Sequence, residues 1–457
     1  VADKVEIPKL VVDNNDQPPN CLTVLQEHFA LSTIGGAIHG LDRENIRRVL
    51  SGDKKASIEY IKKADLELMM RRYLETLSIP ANAKVMKNAI DDWWVYPNTK
   101  EYKSVSFSPK QTGGHDLNLW VGPTIEPAPG EYSTIDDFLY EVICDEDEAL
   151  WLYLIRYIAH ALQYPEDKPG IMLVLIGDEG VGKGFFFTLL SRIWGSTTIE
   201  VSDMSKVIGT FNKVIENKFW ILLDEALFKG DKKAQDRLKS LVTEPTVQVE
   251  QKYEPSRTVE SVHRFAATTN REQFSQIRSD DRRNVFVKVS NKYKQDTEFF
   301  GKLHEALHDG VEVEAFVHKL LRLDISDFNP RIRPATAETA QQKIRSLVGF
   351  QRYWYEVLYH ADFSPRGGDY SSPSLGWWDA DFIKNRDLIK RYVENEKTAD
   401  RHESVQLQSV YKTLTLICPS AECGARDANR RGVKYPTLLK GREEFEKFLG
   451  CKVDWPK

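Results

Sequence analysis

At 457 residues, 41% hydrophobic and 29% charged, the chain is long enough for roughly two to four domains. A net charge of −5 argues against a protein that coats nucleic acid over its whole surface, but it leaves room for a local basic channel or loop. There is no run of about eighteen apolar residues that would make a membrane-spanning helix, and no signal peptide. Five scattered cysteines (Cys21, Cys144, Cys418, Cys423 and Cys451) point to a reducing compartment such as cytoplasm. The first residue is Val1 rather than methionine, so a piece of a longer protein is one expectation.

Residues 1–130 read as an N-terminal α+β region. A polar arm is followed by helical periodicity through Ile58–Leu77, then by short alternating strands between Trp93 and Gly122. Pro123–Gly130 is a linker by composition. Residues 131–170 read as a helical, collar-like segment: one helix opens at Ser133 and a second runs from about Glu146 to Gln163, stopped by Pro165 and Pro169. From 171 to 335 the pattern changes. Ile171–Ile176, Phe219–Leu223, Phe265–Thr268 and Val285–Val289 are short apolar runs bounded by turn residues, the signature of strands buried on both faces of a parallel α/β sheet. Residues 336–376 read as a long helix to Leu358 and a Pro/Gly/Ser-rich boundary. Residues 377–457 read as a mostly helical domain, with a winged-helix arrangement as one option. Helix-like stretches there cover 380–395, 404–417 and 441–449, with a turn-rich segment between the last two.

The chemistry is concentrated in the α/β region. Gly177-Asp178-Glu179-Gly180-Val181-Gly182-Lys183 follows a buried strand directly and precedes a helix. In that context glycines let successive backbone N–H groups curl around phosphate oxygens, and Lys183 reaches the β- and γ-phosphates. Gly184 stands where a Mg²⁺-holding Ser or Thr is usual. Downstream, the strand Phe219–Leu223 ends in Asp224-Glu225, suited to holding Mg²⁺ (Asp224) and orienting an attacking water (Glu225). The next strand ends in Asn270, placed to bond the γ-phosphate or that water. Arg282-Arg283 then precede a fourth strand, where an arginine suits a finger reaching a neighbouring subunit's nucleotide. Thr246–Glu250 and Thr258–Val262 read as the two arms of a hairpin with Gln251–Arg257 at its tip, projecting Lys252 beside Tyr253.

In this order, Gly177–Lys183, Asp224–Glu225, Leu238–Tyr253, Thr268–Asn270 and Arg282–Arg283 resemble the superfamily 3 helicases, in particular the bacteriophage and plasmid primase-helicase branch. The stretch Leu238–Tyr253 discriminates best, because it is similar to the motif in which a helix leads into a channel hairpin whose lysine touches single-stranded DNA. The resemblance implies a P-loop, AAA+-type motor using ATP and Mg²⁺. It further implies a homo-oligomeric, hexameric ring on single-stranded or forked DNA, often with a primase or polymerase domain N-terminal to it. Glycine after the loop lysine is tolerated in that branch. The expected function is therefore an ATP-dependent DNA helicase of phage or plasmid replication, in the cytoplasm of a bacterial host. Two alternatives stand beside it. One is an AAA+ helicase or clamp loader that binds DNA without unwinding it. The other is a scaffold with a decayed nucleotide site, supported only by Gly184.

Overall fold

The computed structural model describes residues 20–34, 36–53, 55–77, 82–110, 112–224, 232–250, 256–270, 283–334, 337–364, 376–377, 381–398, 406–428 and 430–456. At its centre five strands lie side by side and parallel, in the order β12-β6-β11-β8-β7. These are β6 (Met172–Ile176), β7 (Thr198–Val201), β8 (Trp220–Leu223), β11 (Arg264–Thr269) and β12 (Asn284–Lys288).

The unbroken apolar runs are explained by burial on both faces, because alternate residues of one strand feed two different cores. Leu173, Leu175, Trp220, Leu222, Ala266, Val285 and Val287 face one core. It is completed by α5 (Ser133–Asp137), α6 (Glu148–Gln163), α7 (Lys183–Trp194), α10 (Thr297–Asp309) and α11 (Val311–Arg322). Met172, Val174, Ile176, Ile221, Leu223, Phe265, Ala267 and Phe286 face the other, against α8 (Ser205–Ile208), α9 (Lys232–Thr243) and an antiparallel hairpin, β9 (Thr246–Val249) with β10 (Arg257–Glu260). Strand β7 has no counterpart among the predicted strands. It is an edge strand of four residues with only Val201 buried, so it lacks the continuous apolar run that identifies the other four.

The N-terminal region packs onto the first core. It comprises α1 (Cys21–His28), the hairpin β1 (Phe29–Ile34) and β2 (Ala37–Asp42), α2 (Arg43–Leu50), α3 (Lys63–Thr76), α4 (Ala83–Val95), and three short strands β3 (Glu101–Tyr102), β4 (Ser104–Ser106) and β5 (Asp116–Asn118). Phe107, Leu117 and Leu119 are buried there, and Trp120 meets Phe219 edge-on at 5.0 Å. Pro123–Gly130, expected as a linker, is laid against the core. Thr124 N–H donates to Ile193 O at 2.8 Å, and a Cβ on Gly130 would touch Ala315 at 3.2 Å. The helix opening at Ser133 continues past α5 as a π-helical turn, Phe138–Ile143.

Beyond 335 the structure corrects three expectations. The single long helix is two, α12 (Ala337–Arg345) and α13 (Gly349–His360), separated at Ser346–Val348, because Leu347 turns into a second, separate hydrophobic core. The stretch 380–395 begins as strand β13 (Phe382–Lys384) before α14 (Asn385–Thr398), since Ile383 must lie in a sheet. After α15 (Leu407–Ile417) the turn-rich segment is a pair of strands, β14 (Glu422–Asp427) and β15 (Arg430–Lys434). They form the antiparallel sheet β13-β15-β14, followed by α16 (Leu438–Leu449).

Two histidines sit deep in the α/β region behind the sheet. His263 donates from Nδ1 to Lys218 O at 2.6 Å, and burial pushes its pKa down to about 3. His160 bridges Arg264 and Asp167, and burial together with the Arg264 charge pushes it down to about 4. Both are neutral in the folded chain and titrate near 6.5 when unfolded, so their contribution is complete above about pH 6.5 and is lost as pH falls toward 3 to 4. The melting temperature should therefore drop between pH 6.5 and 4. His263→Asn, which keeps a donor near the Nδ1 position, should flatten that drop in scanning calorimetry. An unchanged acid slope in that variant would remove His263 from the account.

Candidate functional site

The C-terminal ends of β6, β8 and β11 are neighbours, and each delivers one element of the site. After β6 the chain turns through Gly177–Lys183 into α7. The root of this loop is fixed between two strands: Gly177 N–H donates to Thr269 O at 3.2 Å, and Val289 N–H to Ile176 O at 2.8 Å. Its tip is fixed by Gln295 N–H, which donates to Gly180 O at 3.1 Å. Gly180 (φ +74°) and Gly182 (φ +98°) adopt left-handed backbone that other residues rarely take. At Gly182 the ring of Phe300 also closes off the space, since a Cβ would lie 2.7 Å from it. The loop thus leads its chain from the end of β6 into the N-terminal turn of α7, the kind of glycine-rich turn and helix start that favours anions.

Lys183 donates from Nζ to Gly177 O (2.5 Å), Asp178 O (2.6 Å) and Asn270 Oδ1. The lysine and the asparagine, far apart in sequence, therefore meet. Asn270 also donates to Glu179 Oε1 at 3.4 Å. On the loop's outer side Lys294 pairs with Asp178 at 2.8 Å and holds that carboxyl below the usual range.

Asp224 follows β8 directly. Its N–H donates to Val201 O at 3.1 Å, and its Oδ1 accepts from Thr268 Oγ at 2.6 Å. Glu200, on the edge strand, is close enough that burial and the Asp224 charge raise its pKa. Asp224 and the Thr268 hydroxyl bring two oxygens together, the donor type that hard divalent cations take, although among the described residues no group of three or more acidic, His or Cys side chains is assembled. Gly184 meets nothing within 4 Å of a built Cβ, so packing does not enforce the missing hydroxyl there.

Several expected residues fall elsewhere. Glu225, Lys252, Tyr253 and Arg282 lie outside the described residues. The hairpin arms that bracket Lys252 and Tyr253 pair as expected, Val249 opposite Arg257 and Thr246 opposite Glu260. Arg283 stands at the start of β12, where its carbonyl accepts from Met172 N–H at 2.8 Å. That is the N-terminal end of β12 and of its neighbour β6, a full strand of roughly 13 Å from the glycine loop. The structure does not bring Arg283 to the loop of its own chain.

Sequence reasoning missed Glu200, Lys294 and Asn212. Asn212 is buried and clamps the hairpin through Gln248 O (2.9 Å) and Glu250 N–H (3.0 Å). A lone asparagine in a loop carries no sequence signal for that role. Lys168 does similar work at the hairpin's base, donating to Leu241 O, Glu244 O and Ser261 Oγ, and burial lowers its pKa to about 7.

Residues 175–283 match a family of unknown function, DUF5906. A DNA primase-polymerase of Nitratiruptor phage NrS-1 is 22% identical over 201 residues, 42% of this chain and 28% of that protein, so the match spans little more than a quarter of the relative's length. Two apo structures of the NrS-1 C-terminal region superpose with TM-scores of 0.63 and 0.61, at 15% and 16% identity. Each covers 92% of this chain and the whole of the other. At that identity the likeness establishes a shared fold. Among the described residues no helix is long and apolar enough to cross a membrane.

The two glycines flanking Lys183 should respond oppositely to the same substitution. Gly182→Ala combines left-handed backbone with the Phe300 clash and should cost about 1–3 kcal/mol while spoiling the loop. Gly184→Ala, open to solvent in the first turn of α7, should change stability by no more than about 0.5 kcal/mol. Urea denaturation of both variants checks this, and equal costs would show that neither the left-handed backbone nor Phe300 resists the added methyl.

Proposed function

We propose that this chain is the ATP-driven motor of a DNA helicase serving phage or plasmid replication, acting as a ring on single-stranded DNA. The observation that carries the reading is Lys183 meeting Asn270 at the end of β11, with Asp224 bonded to Thr268 at the neighbouring strand end, beside a glycine loop in left-handed backbone. Relatedness to a phage primase-polymerase over the α/β region, and the fold shared with its C-terminal region, support a replication role.

In this reading the Asp178–Gly182 amides and the α7 N-terminus bind the nucleotide's phosphates, while Gly177 N–H stays on Thr269 O, and Lys183 exchanges its loop carbonyls for phosphate oxygens. Asp224, held by Thr268, would carry Mg²⁺ with Glu200 near it, and Mg²⁺ when bound supplies charge neutralisation on the β- and γ-phosphates. Glu225, the residue after Asp224, orients the attacking water and takes its proton. Asn270 aligns that water and, being bonded to Lys183, senses the occupied loop. The position of Arg283 at the strand end away from the loop suits an arginine, with Arg282 beside it, that serves a neighbouring copy rather than its own loop, which calls for a homo-oligomeric, hexameric ring. The hairpin carries Lys252 and Tyr253 toward the DNA strand. A primase or polymerase domain N-terminal to this segment, and the cytoplasm of a bacterial host, complete the setting.

The steps separate experimentally. Lys183→Ala should abolish nucleotide binding, whereas Glu225→Gln should bind normally and turn over about 10²- to 10⁴-fold more slowly. Nucleotide affinity and single-turnover hydrolysis measured side by side decide it, and normal turnover by Glu225→Gln would sink the role given to that residue.

Lys252→Ala should keep basal ATP hydrolysis, flatten the salt dependence of single-strand binding and lose unwinding of a forked duplex. Unwinding at the wild-type rate would return the loader alternative, an ATPase that binds DNA without opening it, to first place.

A further inference from the structure

The C-terminal unit carries a second charged surface that the motor does not use. Its order is helix α13, strand β13, helices α14 and α15, then the β14–β15 hairpin returning to pair with β13. That is the connectivity of a winged helix, in which the last helix of the set and the hairpin flank one exposed face. Val410, Leu414 and Ile417 hold α15 to the core. Gln408, Lys412 and Thr415 recur along its exposed side at spacings of four and three, so they share one stripe. Thr415 lies 3.9 Å from Cys423 Sγ of β14, which places that stripe next to the hairpin.

One pair in the hairpin works against its stability: Arg426 sits directly opposite Arg431, whereas Arg430 stands opposite Asp427, an unlike charge. Like charges facing each other across an antiparallel pair repel. Strand alternation puts Arg431 on the same face as Val433, which is fully buried, so the arginine pair continues outward from the side of the sheet that the core occupies. Arg426, Arg430 and Arg431 are all exposed. Among the described residues, neither these three side chains nor that of Lys412 makes an ion pair or hydrogen bond. Other arginines of the same unit are engaged, such as Arg442 with Leu358 O and Arg352 with Glu356. Three arginines at one hairpin end, in a chain of net charge −5, are a local positive feature that a polyanion would relieve.

We propose that this unit is a grip for double-stranded DNA, with α15 presenting Gln408, Lys412 and Thr415 to the major groove and the hairpin arginines holding the adjoining backbone. An α-helix fits the major groove, and Gln, Lys and Thr are among the side chains that bond base edges there. The inference shares with the motor reading only the premise that DNA is the partner, since it involves neither the glycine loop nor Lys252. It places the duplex ahead of or behind the ring on a separate surface from the strand inside it.

The test uses the full chain without nucleotide, a fluorescein-labelled random-sequence duplex and a labelled oligo-dT strand, with anisotropy read at several salt concentrations. Replacing Arg426, Arg430 and Arg431 together by Ala should weaken duplex binding by about tenfold or more and lower its log–log salt slope by roughly 2 to 3, with the dT strand little affected. The triple Lys variant should restore most of the duplex affinity. Unchanged duplex affinity in a triple Ala protein that melts like the wild type would overturn the proposal. So would equal losses on duplex and single strand. A variant that keeps duplex binding but changes self-association in light scattering would assign the arginines to a contact between copies, again against it. Lys183→Ala should leave duplex binding intact, so failure of the motor reading and failure of this one give different results.

Discussion

A parallel sheet covered on both faces leaves only its strand ends for chemistry, and the rest of this structure follows from that constraint. Side chains within β6, β8 and β11 are committed alternately to two cores. The first residues free of packing duty are those immediately past each strand: Gly177, Asp224 and Asn270. Because β11 runs between β6 and β8, these three positions are neighbours without any long-range adjustment. The opposite ends of the same strands are also fixed, and there the structure relies on cations.

The most demanding of those cations is Arg264. It is fully buried, lies over the rings of Tyr157 and Phe219 at 5.8 and 5.3 Å, and donates to Tyr164 O, Asp167 O and His160. A charge so deep is tolerated only with partners of this kind, because desolvation is otherwise unaffordable. By capping the carbonyls after α6 it ties the helical segment that precedes the sheet to the first residue of β11. Lys168, a few residues on, does the same for the end of α9 and the hairpin base. At the back of the sheet Arg264 and Lys168 thus both donate to carbonyl oxygens.

The elements with one strong local signal were legible in the sequence. Four of the five central strands are uniform apolar runs, and the loop, the acidic pair and Asn270 follow three of them directly. The hairpin was legible because Thr246–Glu250 alternates. What escaped was set by partners distant in sequence. β7 is a strand because β8 pairs with it, and Asn212 and Lys168 matter because the hairpin happens to lie above them. In the last unit, Phe382–Lys384 and the segment 422–434 were hidden by charge. Arg-rich, glycine-interrupted strands look like turns until Val433 and Ile383 are seen packed in a common core. The alternating hydrophobicity is present there but spread over too few residues to register.

The short connection between hairpin and site has a mechanical meaning. Only Ser261, Val262 and His263 separate β10 from β11, and β11 ends one residue before Asn270. β11 is hydrogen-bonded along both edges, to β6 and β8, so it can neither stretch nor bow appreciably. Its two ends, roughly 17 Å apart along the strand, belong to one stiff rod. A shift of Asn270 along the strand axis must therefore reappear at His263 at nearly full amplitude, without amplification and without a relay of side chains. Such a transmission is short-stroke and stiff, and it is poorly suited to a large swinging motion.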